Sequence, residues 1–184
     1  SPTPVPTSAL TQEIIHILLI GGDTNYTLDM NTDTLIVVVI NRNTRQVSLL
    51  TLPRDLWVHI PTYGWGRINT AHRLGFRYGY ADGGGPGLLM RTIEENIGIP
   101  IDHWVRVGYD GFARTVDQLG GVDMIVPCPV NLRYRPGGEE RILTAGVQHL
   151  DGVTALRYVR TRRGDSDYER TGRQQPFLKT AWNQ

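Results

Sequence analysis

The stretch TDTLIVVVINRNTRQVSLLTLPRD, residues 32–55, decides the fold. Its first half, Thr34 to Ile40, is β-branched almost throughout, which predicts a strand. The turn residues Asn41 to Thr44 lead into a second apolar run, Gln46 to Leu52, and Pro53 stops it. Two such runs joined by a short polar turn predict a β-hairpin.

Elements on both sides of this hairpin extend it into a larger sheet. Ile14 to Ile20 is a nearly continuous apolar run halted by two glycines, which is typical of a strand buried on both faces. Downstream, a strand (His103 to Val107), a helix (Gly111 to Leu119) and a strand (Val122 to Val126) follow within thirty residues and predict a βαβ unit. The predicted fold class is therefore α/β: a single domain with a central mixed, partly parallel β-sheet flanked by helices.

Helices are predicted in three further places. Ile68 to Leu74 is one, and Leu88 to Ile97 is another, after a loose loop containing glycines 83, 84, 85 and 87. The chain from Leu150 onward is predicted to be helical around a run of arginines.

Length and composition limit the possible classes of protein. At 184 residues and 40% hydrophobic, the chain has room for one domain with a sizeable core. Residues 1–12 are Pro-rich and predict an extended tether, and residues 13–184 are predicted to form the domain. No apolar run approaches the ~20 residues of a membrane span, so we expect a trimmed piece with neither signal peptide nor membrane helix.

Several chemistries are poorly supported by the sequence. The single Cys128 excludes an internal disulfide and a Cys-rich zinc site, and its thiol is expected to be buried and structural. The five histidines lack zinc-ligand spacing, and no P-loop, GxSxG or GxGxxG motif occurs. A net charge of +1 with interleaved acids argues against nucleic-acid binding.

Two aspartates stand where neighbouring strands meet the same sheet edge. Asp23 ends the first strand and Asp33 immediately precedes the second. Mg²⁺ is commonly held by one or two carboxylates together with phosphate oxygens and water, so this pair predicts a magnesium site. The alternative is that each aspartate caps a turn through its own backbone.

Two arginines lie at positions that favour anion binding. Arg54 and Asp55 leave the end of the hairpin's second strand, where functional side chains are often found. Arg67 precedes a predicted helix, whose free N–H groups and dipole favour an anion. The alternatives are a surface ion pair at Arg54 and an ordinary exposed arginine at position 67.

The strongest concentration of charge runs from residue 157 to residue 175. It carries six arginines against three acids, hence three net positive charges, and Lys179 is the only lysine among 19 basic residues of the chain. Arg160 and Arg162 would share a face in an extended segment and could grip a diphosphate. Asp167, Arg170 and Gln174 fall on one helical stripe, which could be functional or a solvated face held by ion pairs.

Taken together, these segments resemble the LytR-CpsA-Psr family of bacterial cell-envelope glycopolymer transferases. The matching segments, in the order of the family and from about Ile14 onward, are ILLIGGD, TDTLIVVVIN, VSLLTLPRD, INTAHRLG, GYDGFARTVDQLGGVDMIVP, LTAGVQHLDGVTALRYVRTR and DSDYERTGRQQ. The resemblance implies an apolar pocket for a polyprenyl chain and an arginine-lined mouth that holds its pyrophosphate with Mg²⁺. It also implies a location outside the cytoplasmic membrane and an N-terminal membrane anchor, which the tether would follow.

The resemblance assigns a role to each candidate residue. It implies metal binding by Asp23 and Asp33, and pyrophosphate or head-group contacts for the basic and amide side chains Arg54, Arg67, Arg160, Arg162, Arg170 and Gln174. Asp167 matches an acid close to the reacting phosphate. Asn25 and Asn31 stand where the family often has arginine, and Arg67 stands where it commonly has lysine, which puts the strength of phosphate binding in question.

The implied reaction transfers a phosphoglycan from a polyprenyl-pyrophosphate carrier to a hydroxyl of peptidoglycan or another wall polymer. We expect Arg54, Arg160 and Arg162 to stabilise the leaving lipid phosphate, with Asp167 as the general base and Asp165 as the second candidate. A polyprenyl-pyrophosphate hydrolase and a non-catalytic lipid or glycan carrier are the alternatives. The pocket could be lined by apolar residues that core packing explains equally well, namely Leu88, Ile93, Ile97, Phe112 and Val116.

Overall fold

A computed structural model describes residues 13–22, 31–132, 141–161 and 167–184, with the side chains of 167–171 left out of the description. The predicted tether lies outside these residues. Internal packing divides the chain into two compact units. Unit 1 comprises the described residues up to Arg106, and unit 2 those from Val107 onward.

Unit 1 is built on a four-stranded mixed sheet. The strands and helices of unit 1 are β1 (Ile14–Gly21), β2 (Thr34–Asn41), β3 (Gln46–Leu52), β4 (Trp57–Ile60), β5 (Gly64–Arg67), a 3₁₀ turn (Ile68–Thr70), α1 (Ala71–Arg77), α2 (Gly84–Ile97) and β6 (His103–Val107). The sheet has the order β3-β2-β1-β6, and β2 pairs antiparallel with both β1 and β3. The predicted hairpin and mixed sheet are confirmed.

The core of unit 1 forms where the sheet packs against α1 and α2. Aliphatic side chains of β1 and β2 and of both helices are buried together: Leu18, Ile20, Leu35, Val37, Ala71, Leu88, Leu89 and Ile93. Burying a leucine, isoleucine or valine side chain is worth about 1.5–3 kcal/mol. These contacts therefore hold in place the sheet edge next to Asp33.

The glycine-rich segment before α2 is not a loose loop, contrary to the prediction. Gly84, Gly85 and Gly87 lie inside the first turns of α2, which begins at Gly84. A Cβ on Gly75 would lie 2.6 Å from the Gly84 carbonyl oxygen, and a Cβ on Gly87 would collide with the Asp82 carbonyl. The glycines therefore permit α1 and α2 to approach closely, a use of glycine that the sequence does not distinguish from a flexible loop.

The described residues of unit 2 form three helices and two short antiparallel ribbons. Its elements are α3 (Tyr109–Gln118), β7 (Val122–Val126), β8 (Val130–Asn131), β9 (Ile142–Leu143), β10 (Gly146–Leu150), α4 (Gly152–Arg160) and α5 (Asp167–Trp182). Val122, Leu150, Ala155, Tyr158 and Phe177 are among its buried core residues. The helices predicted from residue 150 onward are confirmed, and α5 runs through Pro176.

The βαβ interpretation is wrong, although its strand, helix and strand are all present. β6 lies next to β1 in the four-stranded sheet, whereas β7 pairs antiparallel with β10 over Val122–Val126 and Gly146–Leu150. The strand β10 was not predicted, and its pairing is a long-range contact that local periodicity does not encode. Within the described ranges, no helix is both long and apolar enough to cross a bilayer.

Candidate active site

In unit 1, charged side chains form a continuous chain of contacts at the end of the β2–β3 hairpin. Arg54 donates from Nη1 to Asp33 Oδ1 at 2.9 Å, and its Nε lies 3.3 Å from Asp55 Oδ2. Arg67 donates from Nη1 to Asp55 Oδ1 at 3.0 Å. We call Asp33, Arg54, Asp55 and Arg67 the strand-end cluster. It brings together three of the predicted site residues and one acid that had been given no functional role.

The backbone holds the strand-end cluster in place. Asp33 N–H donates to the Gly21 carbonyl at 2.9 Å, which closes the antiparallel pair of β1 and β2. Asn69 N–H donates to the Arg54 carbonyl at 3.1 Å, and Ile68 N–H donates to the Leu56 carbonyl at 2.8 Å. The backbone N–H groups of Ile68 and Asn69 therefore already donate to carbonyl groups of the protein. The prediction that they bind an anion is wrong. Arg67 can act only through its side chain.

In the part of the chain that the structure describes, three unpartnered side-chain oxygens belong to Asn31 and Thr32, which precede Asp33 in the chain, and to Asn69, which is hydrogen-bonded to Thr32. Thr32 and Asn69 are each 3% exposed and are joined by Thr32 N–H donating to the Asn69 carbonyl at 3.2 Å. Within the described chain, Thr32 Oγ1, Asn69 Oδ1 and Asn31 Oδ1 have no hydrogen-bond partner. Buried oxygens normally have a partner, so this set suits a ligand that supplies a donor or a positive charge.

The donor set therefore fits a hard cation. Asp33 contributes a carboxylate, and the unpartnered atoms of Asn31, Thr32 and Asn69 are oxygens. The other predicted ligand, Asp23, lies outside the described residues, and the described ranges contain no group of three or more histidine, cysteine or acidic side chains able to hold a metal. The magnesium site therefore stays a prediction, in which few carboxylates hold the ion and a substrate provides the remaining ligands.

In unit 2, Arg160 stacks on an aromatic ring. Its guanidinium carbon lies 3.5 Å from the centroid of the Tyr109 ring. A guanidinium over an aromatic face is attracted by the negative charge of that face, which favours this position of the Arg160 side chain. Tyr109 was not among the predicted site residues, because a contact between side chains 51 residues apart leaves no local pattern.

The chain leaves α4 in an extended conformation. Arg160 is the last residue of α4, and Thr161 has φ −59° and ψ 140°. The extended exit required for Arg160 and Arg162 to share a face is thus present at Thr161, whereas Arg162 itself lies outside the described residues. The Thr161 hydroxyl donates to the Asn131 carbonyl at 2.8 Å, which fixes the exit.

Helix α5 holds the end of α4 through two side chains. Gln174 is 7% exposed and donates from Nε2 to the Val159 carbonyl at 3.2 Å, and Arg173 donates from Nη2 to the Thr161 carbonyl. Gln174 therefore has a clear packing role, and its head-group contact stays a prediction. Asp167 is the first residue of α5. The described parts of the structure do not include the side chains of Asp167 and Arg170 or any atom of Asp165.

The other residues considered in the sequence analysis include a histidine, the cysteine and the apolar candidates for the pocket lining. His72 is 2% exposed in the core of unit 1; burial, and secondly the charge of Arg106, lower its pKa. Cys128 is an exposed thiol, so the expectation of burial is wrong. Each apolar candidate for the pocket lining packs in or against a hydrophobic core: Leu88, Ile93 and Ile97 in unit 1, Phe112 and Val116 in unit 2.

Comparison with known proteins identifies the chain's class. The profile of the LytR_cpsA_psr family matches residues 3–184, and the chain belongs to this family. Over 170 residues it is 39% identical to the probable cell wall biosynthesis protein LcpB of Corynebacterium glutamicum, covering 92% of this chain and 37% of that protein. It is 35% identical over 178 residues to the polyisoprenyl-teichoic acid–peptidoglycan teichoic acid transferase TagU of Oceanobacillus iheyensis, covering 94% and 52% respectively.

Solved structures show the same fold. The crystal structure of Bacillus subtilis TagT superposes with a TM-score of 0.74 at 30% identity, covering 92% of this chain and 64% of TagT. A TagT structure with bound octaprenyl pyrophosphate gives a TM-score of 0.72 at 28% identity, with the same coverage of 92% and 64%. The chain thus spans about a third to two thirds of the length of these proteins.

Proposed function

We propose that this chain is the catalytic part of a phosphotransferase that moves a phosphoglycan from a polyprenyl-pyrophosphate carrier to a hydroxyl of peptidoglycan or another wall polymer. The proposal places the protein at the outer face of the cytoplasmic membrane, attached by a segment outside this chain, with the polyprenyl chain in an apolar pocket. Family membership supports it, as do the names of TagU and TagT as teichoic acid transferases and the lipid bound to TagT.

The observation that carries the proposal is the strand-end cluster. Two guanidinium groups are held on a shared carboxylate, Asp55, with distances of 3.3 Å for Arg54 and 3.0 Å for Arg67. Guanidinium groups bind phosphate oxygens two at a time and keep their charge at all physiological pH values. A pair of them at the end of a rigid hairpin is suited to a diphosphate.

Phosphoryl transfer requires mainly positioning and charge neutralisation from the protein. By the resemblance to the family, Arg54, Arg160 and Arg162 would stabilise the charge on the departing lipid phosphate, and Arg67 would contact the pyrophosphate. The acceptor hydroxyl attacks the phosphorus that carries the glycan, the bond to the lipid phosphate oxygen breaks, and the hydroxyl proton passes to a base. Asp167 is our candidate for that base, and Asp165 is the second.

Mg²⁺ is part of the proposal. Asp33 and Asp23 would hold it, with the unpartnered oxygens of Asn31, Thr32 and Asn69 nearby. A bound Mg²⁺ would neutralise and polarise the diphosphate oxygens. Asn31 supplies an oxygen acceptor where the family often supplies a cation, so the metal would carry more of the charge neutralisation in this protein.

The decisive experiment measures release of polyprenyl phosphate from a synthetic polyprenyl-pyrophosphate glycan, with and without Mg²⁺ and with and without peptidoglycan. We expect release that depends on Mg²⁺ and on acceptor and that Asp33→Ala and Arg160→Ala abolish. Equal release without any acceptor would identify a pyrophosphate hydrolase instead. Tight binding without release under any condition would identify a non-catalytic carrier.

A further inference from the structure

The β4–β5 hairpin of unit 1 exposes two tryptophans on one face. β4 and β5 pair antiparallel with Trp57 opposite Arg67 and His59 opposite Trp65. Residues directly opposite each other in such a ribbon project to the same side. The opposite side carries Val58 and Ile60, which are 4% and 1% exposed. We call Trp57, His59, Trp65 and Arg67 the hairpin face.

The two tryptophans of the hairpin face are largely exposed to solvent, which is unusual for such large apolar side chains. Trp57 and Trp65 are 64% and 68% exposed. An exposed indole loses the large stabilisation that burial would give, so two of them side by side on one ribbon indicate a binding surface. The face is also rigid, because Asn96 of α2 accepts from His59 N–H at 3.0 Å and donates to the His59 carbonyl at 2.8 Å.

The hairpin face is continuous with the strand-end cluster. Arg67 belongs to both: it lies opposite Trp57 in the ribbon and 3.0 Å from Asp55. Asp55 in turn contacts Arg54, which binds Asp33. A diphosphate held by Arg54 and Arg67 would lie next to the hairpin face, because Arg67 is directly opposite Trp57.

On the basis of the function proposed above, we propose that the hairpin face is a stacking platform for the first sugars of the glycan attached to the lipid diphosphate. The indole face is negative and attracts the weakly positive C–H face of a pyranose ring, as it attracts cations. Trp57 and Trp65 are diagonal neighbours across the ribbon, a separation of about 7–8 Å between backbones. That spacing suits two successive sugar rings, with Arg67 and His59 beside them as hydrogen-bonding groups.

The charge of the face favours a glycan over a lipid surface. Arg67 is the one permanently charged residue among the four, and Asp55 neutralises it at 3.0 Å. Adsorption to anionic lipid usually requires several unpaired basic residues. A neutral face that alternates aromatic and hydrogen-bonding side chains is instead complementary to a sugar, which alternates C–H and hydroxyl groups.

Calorimetry with two synthetic probes tests the platform: a short-chain polyprenyl diphosphate carrying a disaccharide, and the same lipid diphosphate without sugar. We expect the native chain to bind the sugar-bearing compound about tenfold more tightly. Trp57→Ala and Trp65→Ala should each remove most of that preference and leave binding of the sugar-free compound unchanged. Trp65→Phe should retain most of it.

Trp182→Ala is the matched control, because Trp182 is 70% exposed in α5 of unit 2. It should leave the preference unchanged, and thermal melts of all variants should coincide with the native melt. The inference is overturned if the native chain shows no sugar preference or if the two hairpin variants keep it. It is also overturned if those variants instead lose binding to vesicles of phosphatidylglycerol and phosphatidylcholine, or to soluble peptidoglycan fragments.

Turnover measured on the same samples separates this inference from the proposed function. A tryptophan-dependent sugar preference without release of lipid phosphate would support the platform and refute transfer. Normal release with an unchanged KM in both hairpin variants would refute the platform alone.

Discussion

Arg54 offers the sharpest test of whether the strand-end cluster is catalytic or only structural. Its guanidinium contacts Asp33 at 2.9 Å and Asp55 at 3.3 Å, and its side chain is 23% exposed, against 36% and 47% for the two acids. Ion pairs with partners this exposed contribute about 0.2–1 kcal/mol each. Arg54→Ala should therefore lower the free energy of unfolding by at most about 2 kcal/mol.

The expected loss of activity is larger than the loss of stability. Removing one group that stabilises transition-state charge typically lowers kcat by about 10²–10³-fold, or roughly 3–4 kcal/mol. Arg54→Lys should fall between native and Ala, at about a tenfold loss, because one ammonium cannot reproduce contacts made by both Nη1 and Nε. Release of polyprenyl phosphate gives kcat and KM, and urea unfolding gives stability.

Arg91→Ala is the control for Arg54→Ala. Arg91 also bridges two acids, Glu95 at 2.7 Å and Glu94 at 3.3 Å, but on the exposed surface of α2. The Arg91→Ala substitution should leave turnover at the native level. A folded Arg54→Ala protein that keeps a tenth or more of native kcat/KM would refute a role for Arg54 in charge stabilisation.

Three further predictions follow from contacts within the two units. Gln174→Leu removes a buried donor to a carbonyl of α4 and should cost about 1–3 kcal/mol in urea unfolding. Asp151→Ala removes the cap on Thr154 N–H, a bond of 2.7 Å, and should cost about 1 kcal/mol near neutral pH. Hydrogen bonding by the Thr154 side chain, and secondly by its backbone N–H, lowers the pKa of Asp151, so the difference should shrink below about pH 4 as the native carboxyl becomes protonated; a constant difference down to pH 2 contradicts this. His72 has a lowered pKa, so the unfolded chain takes up its proton first and stability should fall as pH drops below about 6.5. His72→Gln should reduce that fall in thermal melts, and an unchanged pH profile would show that another group causes it.

The sequence by itself determined the elements whose signals are local. The hairpin of β2 and β3 follows from two β-branched runs and a polar turn, and it alone places Asp33 and Arg54 near the same edge. The helices α3, α4 and α5 lie where the sequence predicts helices, and for α5 the signal was the spacing of Asp167, Arg170 and Gln174 on one helical stripe. Pattern and turn chemistry act over a few residues, which is why these predictions hold.

Only the tertiary structure decided which distant groups meet. The pairing of β7 with β10 and the contact of Arg160 with Tyr109 join segments far apart in the chain, and the close approach of α1 and α2 at their glycines depends on how two consecutive helices pack. The same holds for Asp55, which looked like half of a surface ion pair and proves to connect Arg54 with Arg67. Such contacts depend on how whole helices and strands pack against each other. The residues that a side chain contacts elsewhere in the fold do not change the hydrophobic pattern of its own segment, so local sequence does not predict them.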